Sequence, residues 1–134
     1  MEKQPETIQV KGKVFSGVGE GSRFIELQWV KNQIEEKLGF TPFKGTLNLL
    51  LEESDLNIRE ALENANPIPI VPEPGYCGGK CFKASIMSSV EGAVVIPEVE
   101  GYPKNVLEVI APMNLREKFG LKDGDTVEVI VFVK

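Results

Sequence analysis

The 134-residue chain contains no histidine, and that absence removes several chemistries at once. Ser-His-Asp and Cys-His catalysis need an imidazole to move the proton, as does any His general base, and HExxH zinc sites need two imidazole ligands. If the chain is a catalyst, it must use carboxylates, lysine, backbone dipoles or a metal held by oxygen ligands. Cysteine is scarce: Cys77 and Cys81, in the segment CGGKC, are the two present. Two thiolates fall short of the four ligands of a structural zinc site, and a reducing cytosol disfavours a disulfide. The segment reads as a hairpin whose Gly78-Gly79 pair takes the positive φ angles of a tight turn. Redox chemistry and a metal shared between chains are the alternatives.

Long apolar runs are also missing. No stretch of 18 apolar residues occurs, so no membrane span is indicated. The start, MEKQPETIQV, is charged and lacks the apolar core of a signal peptide, so a cytoplasmic chain is the expectation. Basic charge is in deficit: 15 Lys and Arg oppose 20 Asp and Glu, for a net charge of −5. That argues against a general nucleic-acid binder, whose affinity rests on clustered cations. Small-molecule partners fit better, and a local site can still hold a nucleotide.

What is present suits one globular domain, with 42% hydrophobic residues and enough length for a single core. Residues 1–7 read as a tail and 8–134 as the domain. IQVKGKVF, 8–15, alternates apolar and polar and reads as a strand. From Ser22 to Leu38, Phe24, Leu27, Val30, Ile34 and Leu38 recur every three or four positions, which is one face of an amphipathic helix. Gly39 stops it, and Trp29, off the stripe, is expected to pack against a neighbour. TPFKGTLNLLLE, 41–52, is a Pro turn that becomes a strand. DLNIREALENA, 55–65, is a short helix capped by Asp55 or Asn57. NPIPIVPEPG, 66–75, runs extended over the surface or along an edge. KCFKASIMSS (80–89), AVVIP (93–97) and VLEVIA (106–111) read as strands. NLREKFG, 114–120, is a short helix with Asn114 as cap, Glu117 at the capping-box position and Gly120 as stop. Lys122-Asp123-Gly124-Asp125 reads as a plain turn into the last strand. Six or seven short strands with three short helices point to a small closed or nearly closed β-barrel with helices in its connections.

Three segments carry possible chemistry. SGVGEGSRF, 16–24, has the strand, glycine-rich turn and helix order that aims backbone N–H groups at an anion. It matches neither GxxxxGK[ST] nor GxGxxG, so a flexible corner remains open. GTLN, 45–48, sets Thr46 and Asn48 two apart on a strand, hence on one face. Two neutral oxygens there suit part of a Mg²⁺ shell completed by phosphate and water; a half-buried strand with satisfied polar groups is the alternative. In VLEVIAPMNLREKFGLKDGDTVEV, Glu108 sits mid-strand in apolar surroundings, which marks either a ligand contact or a solvent-facing position. Met113 and Asn114 lead into a helix start, with Arg116 as the nearest cation.

Taken in order, SGVGEGSRF, LGFTPFKGTLNLLL, GAVVIP and YPKNVLEVIAPMNLREKFGLKDGDTVEV resemble the archaeal CTP-dependent riboflavin kinases, from about Ile8 to Val133. The resemblance implies a mainly β fold, a six-stranded cradle-loop barrel with short helices in its connections. Some members add an N-terminal winged-helix domain, for which this chain is too short. The implied activity is transfer of the γ-phosphoryl group of CTP to the 5′-hydroxyl of riboflavin, giving FMN and CDP, with Mg²⁺ as cofactor. The family's nucleotide loop falls on Gly17, Val18, Gly19, Glu20, Gly21, Ser22 and Arg23, and a second nucleotide segment on Met113, Asn114, Leu115 and Arg116. The implied metal ligands are Thr46 and Asn48. A flavin-contacting glutamate falls on Glu108, which without histidine is also the plausible general base. Many members carry Thr near the flavin eight residues before that glutamate; here the position is Glu100, which the resemblance makes a second flavin-contact candidate. Glu20 would hold the loop's shape or recognise cytidine. A monomer working on riboflavin and CTP, without nucleic acid or membrane, is expected. The alternatives are a non-catalytic flavin or nucleotide binder, and a swapped-hairpin DNA-binding module, which NLREKFGLKDGDTVEVIV also resembles.

Overall fold

The computed structural model describes residues 7–16, 20–52 and 56–133. Its elements run β1 (Thr7–Phe15), α1 (Glu20–Glu26), α2 (Gln28–Leu38), β2 (Leu47–Leu51), α3 (Leu56–Glu63), β3 (Ile68–Ile70), β4 (Gly79–Ile86), β5 (Val90–Pro97), β6 (Val106–Ile110), α4 (Leu115–Phe119) and β7 (Thr126–Phe132). The strands pair in the order β3-β4-β5-β6-β2-β1-β7, and β7 returns to β4. One edge of β4 is shared: Gly79–Cys81 pair with β3, and Ala84–Ile86 pair with β7. Six strands therefore close into an antiparallel barrel, and the three-residue β3, with Pro69 at its centre, lies outside the closure on the edge its proline permits. Among the described residues, no helix is long and apolar enough to cross a membrane.

Strand alternation builds two cores, one on each side of the barrel wall. Val10, Val14, Leu47, Leu49, Leu107, Val109, Val127 and Val129 point inward and fill the barrel. The outer faces of β4, β5 and β6 bury Cys81, Ala93, Val95 and Ile110 beneath Phe24, Ile25, Val30 and Ile34 of α1 and α2. β5 is consequently buried on both faces along most of its length, and each such Val or Ile contributes about 1.5–3 kcal/mol by leaving water. Trp29 packs edge-on against Phe24 and Tyr76, at 6.1 and 5.7 Å between ring centres.

Several local expectations are corrected. The helix expected from Ser22 to Leu38 is two helices, broken at Leu27, whose φ −67° and ψ 131° are extended. The apolar stripe runs through the break because both helices cover the same strands. Thr7, expected in the tail, opens β1, while the rest of that tail lies outside the described residues. Asn57 is the second residue of α3 and not its cap; Asp55 lies outside the described residues. β4 ends at Ile86, not Ser89: Met87 and Ser88 take φ of 53° and 52°, and Ser89 N donates to Ile86 O at 3.0 Å. β5 accordingly begins at Val90, three residues earlier than expected.

The CGGKC glycines serve a different purpose from the expected turn. Neither Gly78 nor Gly79 has a positive φ; Gly75 has it, at 86°. A Cβ on Gly78 would lie 2.5 Å from Ile70 O, and one on Gly79 would lie 2.8 Å from the Phe24 ring. These glycines admit close packing. Cys77 is exposed and Cys81 buried, both as free thiols.

Candidate active site

Glu108 is the unusual residue of β6. Its neighbours Leu107 and Val109 fill the barrel, so alternation turns Glu108 to the outer wall, at the margin of the layer formed by α1 and α2. It is 2% exposed. A carboxylate taken from water needs donors in return, and the fold supplies them from two other segments. Thr46, just before β2, donates from Oγ1 to Glu108 Oε1 at 2.6 Å. The Tyr102 hydroxyl, from the β5–β6 connection, donates to Oε2. Ser22 of α1 joins the group: its Oγ accepts from Thr46 N at 3.1 Å and lies 3.3 Å from Thr46 Oγ1. Asn48 stands directly opposite Glu108 in the β2–β6 ladder and alternates with the inward-facing Leu47 and Leu49.

The glycine-rich loop adjoins this group at its described ends. It leaves β1 at Phe15, which pairs with Asn48, and re-enters described structure in α1, whose Ser22 bonds Thr46. Both ends are thus tied to the GTLN residues. Gly17, Val18 and Gly19 lie outside the described residues; Glu20 and Gly21 are the first residues of α1, and Arg23 lies exposed in its last turn.

A second clasp holds the start of the loop. Arg116 of α4 donates from Nη2 to Phe15 O at 3.3 Å and to Asp123 Oδ1 at 2.8 Å. Ser16 Oγ donates to Asp123 Oδ2 at 3.1 Å. The Arg116 hydrogen bond, then that from Ser16, hold the Asp123 carboxyl below the usual range. Backbone bonds complete the clasp, Gly124 N to Val14 O at 2.7 Å and Val14 N to Asp125 O at 2.8 Å. Asn114 spends its side chain on α4, accepting from Glu117 N at 3.2 Å, and Gly120 ends that helix in the left-handed conformation. Leu115 is buried in the barrel core. Lys44, Thr46, Met113, Asn114 and Arg116 line a common cavity of about 170 Å³.

The three segments singled out in the sequence therefore meet at one end of the barrel. Glu100 is exposed in the turn ahead of Tyr102; Tyr102 is the residue of that connection that bonds Glu108. Sequence reasoning missed Tyr102 and Asp123, since both sit in turns where no periodicity marks a side chain's direction. A tyrosine followed by proline just before a strand was the only signal for the first.

The donor set suits a hard cation. Thr46 and Asn48 offer neutral oxygens beside the Glu108 carboxylate, and no group of three or more His, Cys, Asp or Glu gathers for a metal among the described residues. Magnesium in such a place takes most of its shell from phosphate and water. Because the Thr46 proton is engaged by Glu108, Ser22 is the donor in the 3.3 Å contact with Thr46 Oγ1, and the other lone pair of that oxygen remains for an electrophile. The thiols play no part in this group: Cys81 lies in the outer core, where burial pushes it up to about 12 despite nearby Lys37.

A family model, CTP-dep_RFKase, described as domain of unknown function DUF120, matches residues 14–131. A riboflavin kinase of Archaeoglobus fulgidus is 45% identical over 131 residues, covering 95% of this chain and 56% of that protein. One of Pyrobaculum aerophilum is 46% identical over 134 residues, with coverages of 95% and 62%. One of Saccharolobus solfataricus is 39% identical over 132 residues, with coverages of 95% and 75%. The chain spans less than two thirds of the length of the first two.

Proposed function

This chain belongs to the CTP-dependent riboflavin kinase family, and we propose that it transfers the γ-phosphoryl group of CTP to the 5′-hydroxyl of riboflavin, giving FMN and CDP. The relatives' name, riboflavin kinase, supports the acceptor, and the family model's name supports the donor. The observation that carries the reading is the convergence of Ser22, Thr46, Asn48 and Glu108, with the described residues on both flanks of the glycine-rich loop bonded to this same group.

Phosphoryl transfer asks a protein for positioning and charge neutralisation more than for covalent help. Thr46 and Asn48, together with the CTP phosphates, would hold magnesium, which would supply neutralising charge when bound. Backbone N–H groups of the glycine-rich loop would bind the phosphates, and Met113 to Arg116 would border the nucleotide across the cavity they share with Thr46. Glu108 accepts a hydrogen bond from the ribityl hydroxyl and takes its proton as the oxygen attacks phosphorus; it is the one buried carboxylate among the described residues. Its two hydroxyl donors hold it aimed.

The test is direct. The folded protein is incubated with riboflavin, Mg²⁺ and each of the four nucleoside triphosphates, and FMN is measured by chromatography. Product with CTP alone is expected. Product with ATP and not with CTP would overturn the donor, and no product with any of the four would overturn the enzyme.

A further inference from the structure

Glu108 belongs to the site already described, but the device behind it does not. The β5–β6 connection turns at Gly101, with φ of 81°, and Tyr102 N closes the turn on Val99 O at 3.1 Å. The Tyr102 ring then lies under the guanidinium of Arg59, 5.2 Å from ring centre to Cζ. Arg59 comes from α3 and is 5% exposed. Its Nη1 donates to Pro103 O and to Val106 O, each at 3.1 Å, so α3 grips the connection just after Tyr102. Nε has no hydrogen-bond partner among the described residues, and burial pulls the guanidinium pKa down, offset in part by Tyr102 and Glu63.

A buried cation that meets two carbonyls and an aromatic face is a poor choice for stability, since an apolar side chain of similar volume serves as well or better. The arrangement makes sense for geometry. Thr46 holds one oxygen of Glu108 and Tyr102 the other, so the carboxylate cannot turn about its own axis. Without the tyrosine hydroxyl it can, and the Thr46 hydroxyl would follow it. We infer that Tyr102, clamped by Arg59, is a positioning residue that fixes Glu108 and, through it, Thr46 for phosphoryl transfer. This rests on the kinase reading above.

Tyr102→Phe keeps the ring under Arg59 and removes only the hydroxyl. It is expected to lower kcat roughly tenfold to a hundredfold, the worth of one hydrogen bond to a charged group, with the KM for CTP at its wild-type value and a lowered thermal midpoint, since buried Glu108 loses a donor. A merely structural residue would move kcat and both KM values together. Arg59→Met is expected to give a smaller loss of the same kind; if it does not fold, Tyr102→Phe still decides. In parallel, proton NMR of the wild type should show a slowly exchanging tyrosine hydroxyl that is absent from Tyr102→Phe and shifted in Glu108→Gln. Wild-type kcat in Tyr102→Phe, or a loss confined to the KM for CTP, overturns the inference. If the unaltered chain makes no FMN, the kinase reading has failed; the hydroxyl resonance then still reports whether Tyr102 holds Glu108.

Discussion

At the scale of single residues, the site depends on where one proton points. Thr46 donates to Glu108 and can accept from Ser22, which leaves one lone pair of its oxygen for a cation. Thr46→Ser keeps that hydroxyl and should retain most of the activity. Thr46→Ala should lower turnover by more than about tenfold, and by leaving Glu108 short of a buried donor should cost about 1–3 kcal/mol of stability. The Mg²⁺ dependence of the rate and a denaturant titration check the two effects separately; equal activity of the Ser and Ala variants would remove Thr46 from the metal. The thiols give a second residue-scale expectation. Iodoacetamide acting on the native protein should modify Cys77, which is exposed, and spare Cys81, which is buried with its thiol held at about 12. Mass spectrometry before and after unfolding reads this as one adduct, then two.

At the scale of elements, glycine is needed where a backbone approaches and is missing where a turn would use it. Gly92 of β5 has no room for a side chain, because a Cβ there would overlap Ile110 O across the ladder as well as Ile86. Gly92→Ala should therefore cost about 1–3 kcal/mol or break the β5–β6 pairing, measurable as a lowered denaturation midpoint. The β4–β5 hairpin shows the opposite case. Met87 and Ser88 sit in the left-handed region at 53° and 52°, where an L-residue costs roughly 1–2 kcal/mol. Ser88→Gly should raise stability by about 1 kcal/mol, seen as a higher midpoint. That hairpin also explains a limit of legibility. Alternation and caps made β1, α4 and β7 readable, with Asn114 and Gly120 marking both ends of α4. The β4–β5 turn carried none of the Asn-Gly chemistry that announces such turns, because β7 holds it instead, through Met87 N to Glu128 O at 2.9 Å. The break at Leu27 was hidden for a related reason: two helices burying one strand layer keep one continuous stripe. Ser22, Thr46, Asn48 and Glu108 were legible as residue types in spaced motifs. Their contact was not, since it comes from strand register and from a loop tyrosine.

At the scale of the whole molecule, the barrel brings residues more than 100 positions apart into one clasp. Ser16 and Phe15 at the end of β1 meet Arg116 and Asp123 near the C-terminus, and the last turn is stitched to Val14 on both sides. The clasp couples the start of the glycine-rich loop to Arg116, in the proposed second nucleotide segment, so it should matter for CTP and not for the flavin. Asp123→Asn is expected to raise the KM for CTP with little change in kcat, the reverse of the pattern expected at Tyr102. Its effect on stability has a defined sign with pH. The folded-state carboxyl lies below the ordinary range because Arg116 and Ser16 hydrogen-bond its ionised form. Between the two values the unfolded chain binds more protons, so stability rises with pH there. The contribution of Asp123 is complete above the ordinary aspartate range and is lost as pH falls through the depressed value. Thermal midpoints of wild type and Asp123→Asn should thus differ at neutral pH and converge under acid. Because the pair is solvent-exposed, the difference should also shrink in molar salt, where charges are screened over about 3 Å. A difference in midpoint that persists unchanged to low pH would mean that the amide disturbs packing, and that the charge of Asp123 does not hold the loop.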